Sequence, residues 1–130
     1  MVQTDNQEKK LTVLVVDDQQ DAADTVATLL SMMGYQTRAA YSASEALRVF
    51  REFKPRVVLM DIGMPEMSGF EAAACIRMLP EGTSTTIIAL TGWGEDAHKR
   101  LSHEASMDYH LVKPAAPEKL DEVLRKVSAH

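Results

Sequence analysis

Four short apolar runs divide this chain: Leu11 to Val16, Arg56 to Met60, about Thr86 to Leu90, and His110 to Val112. A more polar stretch, about Tyr35 to Ala40, completes a set of five strands. Runs of this length without polar alternation predict strands buried on both faces. Between them the apolar positions switch to helical spacing. Val26, Leu29, Leu30 and Met33 fall at i, i+3, i+4 and i+7 ahead of Gly34 and predict a first helix. Ser42 and Glu45 have capping-box spacing before a second helix, whose inward stripe is Ala43, Ala46, Leu47 and Phe50, with Pro55 beyond its end. Ser68 or Gly69 opens a third, with Ala72, Ala73, Ile76 and Leu79 inward and a stop near Pro80. A fourth, about Glu95 to Ser106, has only Ala97, Leu101 and Ala105 as a thin apolar face. The last carries Leu120, Val123, Leu124 and Val127, with Pro117 suited to its first turn. Alternating strands and helices of this kind predict an α/β fold, a doubly wound parallel sheet with helices on both faces.

In such a sheet the crevice at the carboxyl ends of the strands is where ligands bind. Asp17 and Asp18 follow the first strand, Asp61 the third, Thr91 and Gly92 the fourth, and Lys113 and Pro114 the fifth. Carboxylates a few ångström apart repel by roughly 4 kcal/mol per pair at 4 Å for an effective dielectric of 20, so such a rim requires a cation. Mg2+ suits it, because this hard ion takes carboxylate oxygens and keeps several waters. Lys113 and Thr91 are the groups that pair with phosphoryl oxygens, and a carboxylate such as Asp61 accepts a phosphoryl group as a mixed anhydride. Each residue alone also has a plainer reading. Asp17 and Asp18 suit a helix cap, Thr91-Gly92 a loop start, and Lys113-Pro114 a turn. His98 and His103, five apart, do not stack on one helical face, so a zinc site is not expected.

Composition narrows the function further. At 130 residues the chain suits one domain, read as a polar extension over 1–9 and a single domain over 10–130 with no output domain. A net charge of −5 argues against a nucleic-acid groove. One cysteine, Cys75, excludes an intramolecular disulfide framework, and no run reaches the length of a membrane span. The first ten residues lack the apolar core of a signal peptide, so a cytoplasmic location is expected.

The ordered set Val-Val-Asp17-Asp18, Asp61-x-x-Met64-Pro65-x-x-x-Gly69, Leu-Thr91-Gly92 and Val-Lys113-Pro114 resembles the response regulator receiver domains of two-component signalling over residues 10 to 128. The resemblance implies a five-stranded sheet of flavodoxin-like order 2-1-3-4-5. It also implies Asp61 as phosphoacceptor, Asp18 as a direct Mg2+ ligand and Asp17 as an acid acting on the metal mainly through water. The main-chain carbonyl of Gly63 would complete the ligands, and Mn2+ would substitute for Mg2+. Thr91 would be the switch hydroxyl and Lys113 the phosphate-pairing lysine. The implied partners are a histidine kinase or histidine phosphotransfer protein and a downstream protein. They would read a surface formed by the fourth helix, the fifth strand and the last helix.

Departures from the family pattern define what is particular to this chain. His110 stands where many receivers carry Tyr or Phe, with Tyr109 on the opposite face of its strand. Imidazole is smaller than those rings and is able to hydrogen-bond Thr91 or a backbone carbonyl, so His110 joins Thr91 as a switch candidate. Trp93 follows in a loop bordering the site. Gly63 offers no acid two places after Asp61, which sets the chain apart from aspartate-nucleophile phosphatases. The remaining rival is a phosphorylation-independent binding module on the same fold, and retention of all five site residues argues against it. Ala116 stands where a helix N-cap is commonly Asp, Ser or Thr.

Overall fold

The computed structural model describes residues 11–64, 68–91 and 107–128. Pro65, Gly92, Trp93, His98, His103 and the helix predicted about Glu95 to Ser106 lie outside the described residues, as does the N-terminal extension. Among the described residues, nine elements follow in chain order: β1 (Thr12–Val16), α1 (Gln20–Met32), β2 (Gln36–Ala40), α2 (Ala43–Phe53), β3 (Val57–Asp61), α3 (Gly69–Arg77), β4 (Thr86–Thr91), β5 (Tyr109–Val112) and α4 (Pro117–Ser128). The five strands form one sheet of order β2-β1-β3-β4-β5, parallel throughout. This is the order that the family resemblance implied.

Alternation along each strand divides the core in two. Leu14, Val16, Val58, Met60, Ile87 and Ala89 point to one face, where Ala46, Val49 and Phe50 of α2 and Ala72, Ala73 and Ile76 of α3 cover them. Val13, Val15, Val57, Leu59, Ile88 and Leu90 point to the other, beneath Ala23 and Leu30 of α1 and Leu120, Leu124 and Val127 of α4. Burying one such Val, Leu or Ile side chain contributes about 1.5–3 kcal/mol, so these layers hold the strand ends in fixed positions.

The elements differ from expectation in instructive details. Leu11 and Tyr35 flank their strands instead of opening them: the Leu11 carbonyl accepts from Gln36 N–H, while Tyr35 N–H bonds back to the Leu30 carbonyl and closes α1. At Ser42 the capping box is only half formed, because Glu45 reaches Tyr41 N–H and not Ser42 N–H. A complete box stands instead at Ser68 and Glu71, opening α3. In α2 the buried stripe uses Val49, and Leu47 is only partly buried. The third helix stops at Arg77, ahead of the apolar Leu79. There Met78 and Leu79 N–H turn to carbonyls three residues back, and the Arg77 guanidinium holds the carbonyls of Gly82 and Thr85.

Candidate functional site

The sheet register brings the strand ends of β1, β3, β4 and β5 to one edge. Asp17 continues the β1–β2 ladder by donating its N–H to Ala40, and Asp61, opposite Leu90, ends β3. The carboxylates of Asp17, Asp18 and Asp61 each present an oxygen, and these atoms lie within 4.8 Å of one another. Asp17 and Asp61 are buried and Asp18 is exposed. From β5, Lys113 reaches the same cluster: its Nζ is 2.9 Å from Asp17 Oδ2 and 3.7 Å from Asp61 Oδ1. The lysine of the expected site is thus present, but hydrogen-bonded to Asp17 and farther from Asp61. Its backbone is fixed too, by the Lys113 N–H to Thr91 carbonyl hydrogen bond of 2.5 Å.

Local sequence explains how the acids are held. Asp17 Oδ1 accepts from Gln19 N–H at 3.0 Å, and α1 begins with no side-chain cap, so Asp17 is oriented by this turn and is not capping the helix. Asp61 Oδ1 accepts from Gly63 N–H at 3.1 Å. Gly69 is required just beyond. A Cβ there would lie 2.5 Å from the Asp61 carbonyl oxygen and 2.6 Å from Ile62 Cα, so the absence of a side chain lets α3 start against the backbone that carries Asp61. Thr91 ends β4 fully buried, and its Oγ1 shares a 3.2 Å hydrogen bond with His110 Nε2. Tyr109 packs on the opposite face of the sheet with Leu111, as period-two geometry requires.

Electrostatics follow from this packing. Burial raises the Asp61 pKa above the ordinary carboxylate value; the Gly63 N–H opposes the rise, Asp17 adds to it, Lys113 opposes it and Asp18 adds to it. Burial alone would lower the Lys113 pKa, but the hydrogen bond to Asp17 and the charges of Asp61, Asp17 and Asp18 outweigh it and raise the value. One ammonium among three carboxylates leaves the edge net negative. The donor set is therefore all oxygen, crowded and short of positive charge, which fits a hard divalent cation.

A profile of the response regulator receiver domain matches residues 13–125. The chain belongs to this family. It is 36% identical over 120 residues to the probable transcriptional regulator ycf27 of Guillardia theta, covering 92% of this chain and 46% of that protein. It is 32% identical over 108 residues to an uncharacterized 14.6 kDa protein of Leptolyngbya boryana, covering 83% of this chain and 82% of that one. The chain thus spans about half the length of ycf27 and most of the smaller relative. Among solved structures, the Vibrio cholerae chemotaxis protein CheY4 superposes with a TM-score of 0.87 at 31% identity, over 91% of this chain and 98% of that one. Receiver domains are signalling domains of two-component response regulators, generally phosphoacceptors that bind Mg2+. Among the described residues, no helix of this receiver is long and apolar enough to cross a membrane.

Proposed function

We propose that this receiver accepts a phosphoryl group on Asp61 from a phosphohistidine of a histidine kinase or histidine phosphotransfer protein. The observation that carries the reading is the meeting of three carboxylates within 4.8 Å with Lys113 Nζ at 3.7 Å from Asp61, all at one sheet edge. In the transfer an Asp61 oxygen bonds to phosphorus as the P–N bond breaks. The electron pair of that bond stays on the imidazole, which takes up a proton, and the product is an acyl phosphate. Asp17, Asp18 and Asp61, with the main-chain carbonyl of Gly63, would hold Mg2+ or Mn2+. When bound, the ion supplies positive charge to the oxygens of the transferring group. Lys113 supplies the protein's own cation and exchanges Asp17 for the new phosphoryl oxygens.

Thr91 and His110 carry the switch in this reading. The Thr91 hydroxyl is hydrogen-bonded to His110 Nε2 at rest, so the imidazole sets the position from which the hydroxyl turns toward the phosphoryl group. Movement at Thr91 and Lys113 then alters β5 and α4, the surface offered to a downstream protein. Coupling of this kind is typically worth about 1–3 kcal/mol. The net charge of −5 favours a protein partner over nucleic acid. The chain acts as a phosphoacceptor that assists its own phosphorylation and dephosphorylation, not as an enzyme turning over a separate substrate. Incubation with acetyl phosphate and Mg2+, read by intact mass, tests the proposal: wild type gains one phosphoryl group and Asp61→Asn gains none. An equal gain in Asp61→Asn overturns it.

A further inference from the structure

Beside the acidic edge, between α1 and the turn that follows β5, lies a cavity of about 450 Å3. Its floor is Val15 and Leu90 from the sheet, and its walls are Val26 and Leu29 of α1 and Leu120 of α4. The small side chains of Ala22 and Ala115 leave it open. The helical stripe of α1 accounts for this hollow. Val26 and Leu29 have the spacing of core positions, yet both remain half-buried, because they face the cavity and not a neighbouring helix. Apolar cavities of roughly 300–1,000 Å3 with a few convergent polar groups have the size and chemistry of small-ligand sites.

The polar groups at the rim indicate the sign of the ligand. Asp17 and Lys113 line one side, but they are hydrogen-bonded to each other at 2.9 Å. Asp21 and Thr25 line the other, four residues apart and so on the same face of α1 as Ala22, Val26 and Leu29. The Asp21 carboxylate is exposed and makes no hydrogen bond or ion pair among the described residues. A first-turn acid is favoured by the helix dipole alone, but the dipole does not account for an apolar hollow opening beside it. An anion would meet Asp17 and Asp21, an uncharged molecule would gain nothing from the Asp21 carboxylate, and an ammonium group would sit beside it.

We propose that this cavity binds a small amphiphile with an apolar body and one ammonium group, the body against Val26, Leu29, Leu90 and Leu120 and the cation on Asp21. Binding here does not depend on the phosphoacceptor reading. The test uses three probes with one apolar body: 4-phenylbutylamine, 4-phenylbutan-1-ol and 4-phenylbutyrate. Each is titrated into the full chain and followed by the methyl NMR signals of Val26, Leu29 and Leu120. The amine should shift these methyls saturably and bind about three- to tenfold tighter than the alcohol, with the carboxylate weakest. Asp21→Asn should bring the amine to the affinity of the alcohol, and Ala22→Leu should weaken all three by filling the hollow. Asp21 is exposed, so its substitution decides the matter even if the filled variant fails to fold. The proposal is overturned if no probe gives a saturable methyl shift, if all three bind equally, or if the advantage of the amine survives in Asp21→Asn.

Discussion

Asp61 carries its carboxylate where burial disfavours the charge, with Gly63 N–H and Lys113 only partly offsetting that burial and the repulsion from Asp17 and Asp18. Its folded pKa is raised, so the folded protein holds the proton more tightly than the unfolded chain does. Its contribution to stability is therefore fully present below the unfolded value near 3.8 and is lost as pH rises through the folded value. An amide does not titrate. The urea midpoint of Asp61→Asn, compared with wild type at each pH, should therefore gain progressively between pH 3 and pH 7. A difference that stays constant across this range would contradict the assigned environment. At this scale the identity of the chemistry was legible, because Asp17, Asp18, Asp61, Thr91 and Lys113 all stand at the ends of apolar runs. Their pairing was legible only in part. The sequence offered Thr91 as one partner for His110, and the structure has that bond, but that Lys113 is hydrogen-bonded to Asp17 depends on distances between different strands that spacing along the chain does not encode.

Among the elements, α4 begins with an uncompensated end. Ala116 precedes Pro117, and its carbonyl accepts the first helical hydrogen bond from Leu120, yet its methyl group satisfies none of the free N–H groups of the first turn. Ala116→Ser should raise stability by about 1 kcal/mol in urea unfolding, and a loss of stability would show that the turn does not accept a cap. The end of α3 is fixed differently. Arg77 donates to the carbonyls of Gly82 and Thr85 and to Asp108, whose carboxylate also accepts Ile87 N–H, so one guanidinium ties α3 to the entries of β4 and β5. Arg77→Met should cost about 2 kcal/mol, because it leaves half-buried acceptors unsatisfied, and a cost below roughly 0.5 kcal/mol would mark the network as incidental. Periodicity located these helices and their inward faces, but not how fully each face is covered. It placed Val26 and Leu29 in the core where the structure leaves them beside a cavity. It also gave no sign of Arg77, since a charged residue near a helix end ordinarily reads as solvated.

For the whole molecule, alternation of apolar strands with amphipathic helices was sufficient to predict a doubly wound sheet, because only that arrangement covers both faces of such strands. Strand order is another matter. Nothing in the periodicity distinguishes 2-1-3-4-5 from other orders, and it was the resemblance of the strand-end motifs to receivers that implied it. The order matters to function because it sets β1 beside β3, and thus Asp17 and Asp18 beside Asp61. If this convergence makes Asp61 the phosphoacceptor, the modified side chain has a chemical signature. An acyl phosphate is reduced by borohydride to the alcohol, so phosphorylation with acetyl phosphate and Mg2+, reduction and peptide mapping identify the modified side chain. Homoserine is expected at position 61, with Asp17 and Asp18 unmodified and no homoserine when Mg2+ is withheld; homoserine at another aspartate, or a phosphorylated chain that yields none, would overturn the assignment of Asp61.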